Sequence, residues 1–474
     1  MKRSKTLKGL FWSFSDNLLQ QLVNFGVGII LARLLTPEDF GLVGIISVFI
    51  ALSNTFVNSG LSDALINKQD ATEKDYNTVF WSNVFLGVVT YVLLYMLAPF
   101  ISDFFERDEL TILIRITALS VLIVSFSSIQ RAILTKILDF KSITIVSIVS
   151  VLISGSVAVY MAFNGYGVMS LVIRMVLGQA MTLILFWLIN KWRPNLIFDF
   201  NSLKSMYKYG VNLFASRFIN SLYTNVYYFV IGKVFNPATL GYYTRAETFN
   251  NLASTNIANT IQRVSFAALS SKKTRKEQFS TFELFFNTTI LITFSLMALI
   301  FSAAHEIVIL LIGVKWLPSV LYLKLLTLSG LFLPLYALNL NLFAVMQRTK
   351  HYLRIELYAK LFIIPTILIG FLYGIEALIV MIVISSIASY TITLVSMKWL
   401  LNYDIRIQFS MVLKSILFFS SVILCGFLID EYLGLNTYLM MVIKIVSVFA
   451  FTIPFLVFAF PSLLLKLLNI IKID

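Results

Sequence analysis

Apolar residues run along the chain in stretches of about twenty or more, broken only by short polar connections. A helix needs about 20 such residues to cross the roughly 30 Å hydrocarbon core of a bilayer, and backbone at that depth must satisfy its own hydrogen bonds. The runs do not alternate apolar with polar residues, so a lipid-facing barrel is excluded. The pattern predicts an all-α membrane protein with about fourteen spans. They fall near 11–33, 39–60, 78–102, 110–128, 141–163, 166–190, 209–232, 239–270, 279–303, 320–347, 352–374, 375–400, 409–429 and 438–465. The basic start MKRSKTLK has no small-residue cleavage site after it, so residues 11–33 read as the first span and not as a signal peptide.

Charge placement supports the alternation. With the N-terminus inside, the connections on the inner side hold 25 of the 37 lysines and arginines, including Lys68, Lys74, Arg131, Lys136, Lys204 and the 272–276 cluster. The outer connections hold only Arg33, Arg107, Lys233 and Lys315, against acids such as Glu106, Asp108, Asp430 and Glu431. Cytoplasmic loops collect cations in this way, which places both termini in the cytoplasm and the protein in a bacterial inner membrane.

Composition then removes whole classes of function. With 59% hydrophobic and 13% charged residues there is no soluble domain, and the net charge of +14 reflects inner loops without any need for nucleic acid. Two histidines and the single Cys425 give no zinc site and no internal disulfide, so neither metal nor cofactor is expected. No glycine loop of the Walker type is present, so the chain does not hydrolyse ATP. The longest outer connection, near 304–319 (HEIVILLIGVKW), has room for a re-entrant turn but not for a catalytic domain.

An internal repeat supplies the architecture. LARLLTPEDFG at 31–41 aligns with IGKVFNPATLG at 231–241, matching Arg33 with Lys233, Pro37 with Pro237 and Gly41 with Gly241; Phe14 and Leu22 match Phe214 and Leu222 at the same offset. Six spans separate the copies, so the halves share one orientation. This predicts an N-lobe at 1–200 (spans 1–6), a C-lobe at 201–402 (spans 7–12) around a central cavity, and spans 13 and 14 appended at 403–474.

Polar residues inside a membrane are costly and point at cavities or partners. Span 1 carries Asp16, Gln20 and Asn24 at helical spacing; span 2 carries Ser47, Asn54 and Asn58. Span 7 carries Arg217, Asn220, Thr224 and Tyr228, and span 8 carries Arg245, Thr248, Thr255, Asn259 and Arg263, with Glu247 on an adjoining face. These spans pair under the repeat, so they are expected to line the cavity. Arg217, Arg245, Arg174, Arg263, Asn24, Gln20, Asn220 and Asn259 are the candidate substrate ligands, and Asp16 and Glu247 the candidate sites for H+ or Na+ coupling. Arg33, Arg115 and Lys444 are expected to snorkel from helix ends, and Glu356 with Lys360 to pair along one helix.

GLFWSFSDNLLQQLVNFGVGIILARLLTPEDFGLVGI, SGLSDALINKQDATEKDYNTVFWSN, LGYYTRAETFNNLASTNIANTIQRVSFAALS and LLIGVKWLPSVLYLKLLTLSGL resemble, in order and spacing, the polysaccharide transporter family of the multidrug/oligosaccharidyl-lipid/polysaccharide superfamily. Within it the likeness is nearest to colanic-acid and teichuronic-acid exporters, and it extends over residues 1 to about 400. The resemblance implies a flippase for undecaprenyl-pyrophosphate-linked oligosaccharide, with no enzymatic activity. It also implies the two-lobed MATE-like fold, and as partners the lipid-linked substrate, bilayer lipids and a polysaccharide polymerase or export machinery. A multidrug cation antiporter of the same superfamily is the alternative. The spans hold only four acids, Asp16, Glu247, Glu283 and Glu356, against eight cations, a poor lining for cationic drugs.

The charge distribution makes a direct prediction. Reporter fusions at Lys276 and at Asp474 will read as cytoplasmic, and a periplasmic signal at either position would overturn the assigned orientation.

Overall fold

The structure, a computed structural model, describes residues 19–461. Every regular element among them is a helix. Eleven helical segments are long and apolar enough to cross a membrane. The chain is a multi-pass membrane protein.

Hydropathy alone does not return the expected fourteen. Three expected spans are not among the eleven: α8 (Phe200–Val234) and α9 (Pro237–Ser270), which are rich in polar residues, and α1, whose described stretch Leu19–Leu34 is apolar but short. At 35 and 34 residues, α8 and α9 are each about 50 Å long, ample to span, and it is their polarity that sets them apart.

The chain divides into two compact units, Met1–Gly241 and Tyr242–Asp474. The division falls later than the repeat boundary near 200 because α8 packs along α2 (Pro37–Val57), α3 (Leu61–Asn67) and α4 (Glu73–Phe105). In the first unit, α4 packs against α5 (Glu109–Lys136), which in turn packs on α7 (Val168–Ile189) beside α6 (Phe140–Phe163).

Local chemistry sets the helix starts. Thr36 with Asp39 and Thr72 with Asp75 form capping boxes for α2 and α4, and Asp139 and Asp199 cap α6 and α8. Each satisfies backbone N–H groups that a helix start leaves without partners. The irregular stretch 190–199 is held the same way. Asn195 N–H donates to Asn77 Oδ1 at 2.6 Å, Asp199 N–H donates to Thr78 Oγ1 at 3.0 Å, and Trp81 Nε1 donates to the Asn195 carbonyl at 2.9 Å.

The repeat signatures meet inside the first unit. Gly41 lies against the backbone of Pro237, and Gly241 against the backbone of Pro37, so closely that a Cβ on either would overlap the opposing carbonyl. Corresponding residues of the two copies thus make one reciprocal contact. Nearby, Arg107 pairs with Glu38 at 3.1 Å and Lys233 with Glu106 at 2.9 Å, joining the start of α2 to the ends of α4 and α8. The Lys233 hydrogen bond and charge hold the Glu106 carboxyl below its ordinary value.

The second unit continues α9 into α10 (Arg275–Ser302). The connection after α10 forms a short helix, α11 (Ala304–Leu311), and a 3-10 turn at Val314–Trp316 whose Trp316 is buried. The expected tenth and eleventh spans are each broken in two. α12 (Ser319–Gly330) gives way to α13 (Leu333–Val345), and α14 (Thr349–Lys360) to α15 (Ile363–Tyr373). Pro334 and Pro365 stand just after the breaks, where a missing N–H interrupts the ladder. Glu356 and Lys360 pair at 3.0 Å as expected. α16 (Ile375–Leu401), α17 (Ile405–Leu433) and α18 (Thr437–Ala459) complete the unit.

Between α13, α16 and α17 lies a buried polar network. Asn339 Nδ2 donates to Thr393 Oγ1 at 3.1 Å and to Gln408 Oε1 at 3.4 Å, and the Tyr390 hydroxyl donates to Gln408 at 3.0 Å.

Lys444 departs from expectation. It does not snorkel: its side chain is 1% exposed, and its Nζ sits 2.7 Å from both Glu306 Oε1 of α11 and Asp430 Oδ1 of α17. Seven residues into α18, the lysine is enclosed by two acids that come from other helices, a pairing that the sequence does not show. Glu306 is equally buried. Lys444→Met will therefore leave a carboxylate without its cation and cost about 3–5 kcal/mol, read as a lowered melting temperature in detergent. Adding Glu306→Gln should recover most of the loss. Equal melting of the single and double variants would refute the charge coupling.

Candidate functional site

The predicted site residues fall into local groups, described unit by unit. On α8, Arg217 and Asn220 lie exposed on one stripe with Thr224, whose hydroxyl donates to the Asn220 carbonyl at 3.0 Å. The Arg217 guanidinium is not free: NH1 donates to Asp63 Oδ2 of α3 at 2.6 Å, with the two side chains 46% and 33% exposed.

The local fold explains the pairing. α3 starts at Gly60, whose φ of +74° is a left-handed value that glycine adopts without strain. The Gly60 backbone lies against that of Gly210 on α8, close enough that a Cβ would not fit. Phe56 packs on Phe214 and Phe218 with ring centroids 5.1 and 5.3 Å apart. This seam brings α3 to α8 and aims Asp63 at Arg217. Asp63 was not among the residues singled out from the sequence, because it sits beside a loop rich in other charges. The only local sign was the glycine just before a short apolar turn, GLSDALI.

Arg174 of α7 donates to Asn24 Oδ1 of α1 at 2.7 Å, bringing together two predicted ligands that stand 150 residues apart. Gln20 is half-buried on the same helix as Asn24, and Asp16 lies outside the described residues.

In the second unit, Asn259 and Arg263 are exposed along α9, and Arg263 Nε donates back to the Asn259 carbonyl at 3.3 Å. Arg245 and Glu247 are half-buried near the start of that helix. Asn341 donates to the Gln262 carbonyl and to Ser265 Oγ, both at 2.8 Å, which fixes the buried face of α9 and leaves Asn259 and Arg263 on the other. Among the described residues no three His, Cys, Asp or Glu side chains gather as metal ligands would.

These groups can bind anions. Guanidinium groups present parallel donors to phosphate oxygens, and the amides beside them suit hydroxyl-rich ligands.

A family model described as "Polysaccharide biosynthesis protein" matches residues 30–321, more than half of the chain. The chain belongs to this family. The match takes in α3, α8 and α9, and with them Asp63, Arg217, Arg245 and Arg263. Among the family's curated relatives, the teichuronic acid biosynthesis protein TuaB of Bacillus subtilis is 27% identical over 330 residues, 69% of this chain and 68% of its own. The lipopolysaccharide biosynthesis protein WzxC of Escherichia coli is 25% identical over 375 residues, 78% and 75% of the two chains. Among solved structures, the lipid II flippase MurJ in an inward closed conformation superposes with a TM-score of 0.75 at 18% identity, covering 97% of this chain and all of that one. An inward-facing MATE transporter of the MOP superfamily gives 0.63 at 16% identity over 79% of this chain and 92% of its own. At these identities the likeness is one of fold, and the fold is the MurJ/MATE-like one expected from the sequence.

An ion pair as exposed as Arg217–Asp63 contributes about 0–1 kcal/mol. Arg217→Ala and Asp63→Asn should therefore both reach the membrane at normal abundance and melt within a few degrees of the unaltered protein. Loss of either variant from the membrane would make the pair structural.

Proposed function

We propose that this protein flips undecaprenyl-pyrophosphate-linked oligosaccharide repeat units from the cytoplasmic to the periplasmic leaflet of the inner membrane, for assembly of a surface polysaccharide. The observation that carries this reading is the family match over residues 30–321, which takes in α8 and α9 with Arg217, Arg245 and Arg263. The relatives' names, teichuronic acid and lipopolysaccharide biosynthesis, point to glycan export and away from drug extrusion.

The physics fits such a cargo. A pyrophosphate and sugar headgroup cannot enter hydrocarbon unaided, whereas exposed arginines on membrane helices neutralise it and amides accept its hydroxyls. Arg217, Arg174, Arg245 and Arg263 are the candidate ligands for the phosphates, and Asn24, Gln20, Asn220 and Asn259 those for the sugar hydroxyls. Asp63 stands in for the phosphate while Arg217 is without cargo. The protein makes and breaks no covalent bond. H+ or Na+, taken up at Asp16 or Glu247, drives the cycle, and a polymerase consumes the exported unit. Both termini face the cytoplasm.

One experiment tests the reading. Deleting the gene should abolish one surface glycan and trap its lipid-linked unit inside the cell. Complementation with Arg217→Ala should lower export at least tenfold. The exchange Arg217→Asp with Asp63→Arg, which restores the pair but moves the cation off α8, should fail to rescue. Normal glycan together with new sensitivity to cationic dyes would favour the antiporter.

A further inference from the structure

An elongated apolar trough of about 650 Å³ runs along the first unit between α4 and the lower half of α8. This is a volume typical of a small-ligand site. Its walls carry Phe56, Trp81, Phe85, Tyr207, Val211 and Phe214. Neither wall is a random apolar face. Along α4, Lys74, Trp81 and Phe85 stand at i, i+7 and i+11; along α8, Lys204, Tyr207, Val211 and Phe214 stand at i, i+3, i+7 and i+10. Each set is one stripe of its helix. Each begins with a lysine at the inner end and continues in apolar and aromatic side chains.

The two lysines stand beyond the lining residues at the same end of the trough, one on each wall helix, where Asp199 at the start of α8 meets Thr78, one turn after Lys74. Both are exposed, and neither is drawn into an ion pair. Asp199, which caps α8, has its carboxyl lowered first by the Ser202 hydroxyl and backbone N–H and further by the charge of Lys74, so α4's first turn stands beside α8's. The Trp81 indole is locked by its bond to the Asn195 carbonyl, so that wall is preformed. Phe214, at the far end, lies one turn before Arg217 and its partner Asp63.

We infer that this trough is a binding site for the single hydrocarbon chain of a polyprenyl phosphate lipid, with the phosphate at Lys74 and Lys204 and the first isoprene units laid along the aromatic walls toward Arg217. The inference rests on the proposed function for its choice of lipid. Two unpaired cations at the mouth of an apolar trough match an anionic head on an apolar chain. A single trough suits a one-chain lipid, where a phospholipid would leave its second chain outside. The site would hold the substrate at the inner leaflet, its phosphate end facing the helix that carries Arg217.

The test uses the full chain reconstituted in phosphatidylglycerol vesicles that contain tritiated undecaprenyl phosphate or, separately, tritiated phosphatidylglycerol. A photoreactive residue is placed at Phe85, which is 67% exposed, or at the control position Leu188, which is 75% exposed on α7. Per mole of lipid, Phe85 should label undecaprenyl phosphate at least tenfold more than phosphatidylglycerol, whereas Leu188 should label both in proportion to their content. The double variant Lys74→Glu, Lys204→Glu should lower the Phe85 adduct at least fivefold. Proportional labelling at Phe85, or an adduct indifferent to the charge reversal, would overturn the site. Neither result bears on the deletion phenotype, so the function and the trough can fail separately.

Discussion

Hydrocarbon offers no hydrogen-bond partners, and that scarcity organises the whole molecule. Every polar side chain in a span has to be answered by protein or kept where water or cargo can reach it. Asn339, Thr393, Tyr390 and Gln408 take the first course, tying α13, α16 and α17 through mutual donors and acceptors. Asn83 does the same in the first unit, donating to Ser62 and Ser128. Arg217, Asn220, Asn259 and Arg263 take the second and stay exposed. The same residue types are therefore fastening in one place and available in another, and burial is what separates the two.

That separation also explains how the candidate site is kept at little cost to stability. A buried pair such as Lys444–Glu306 is expensive to break, so it suits a fixed joint. Arg217–Asp63 is partly exposed, so opening that pair costs the fold little. Arg174 is held in place by a neutral partner, the amide of Asn24.

Much of the fold was legible in the sequence because the bilayer imposes long apolar runs and one-sided loop charges, and because Pro37–Gly41 recurs as Pro237–Gly241. The sequence could not show that these two corners touch each other, since the spacing of a motif says nothing of its partner in space. Lys444 was misread for a related reason: a lone lysine near a helix end looks like a snorkelling one until Glu306, 138 residues earlier, is seen beside it. Asp63 was hidden among loop charges. The aromatic trough was hidden because its walls come from helices more than a hundred residues apart, and on each helix alone its stripe reads as ordinary lipid-facing surface. The polar stripes were visible because a membrane makes polar residues conspicuous, and α8 and α9, which carry most of them, are long helices that are not apolar enough to stand among the eleven.

The Lys444–Glu306 joint has a consequence for how the chain is made. Glu306 leaves the ribosome 138 residues before its cation, an interval of about 7–28 s at bacterial elongation rates. Throughout that time the carboxylate lacks the lysine that neutralises it in the folded second unit, so its burial beside Lys444 must follow the synthesis of α18. The second unit therefore closes around Glu306 only with α18, and a nascent chain that has not yet made that helix still displays an unneutralised acid.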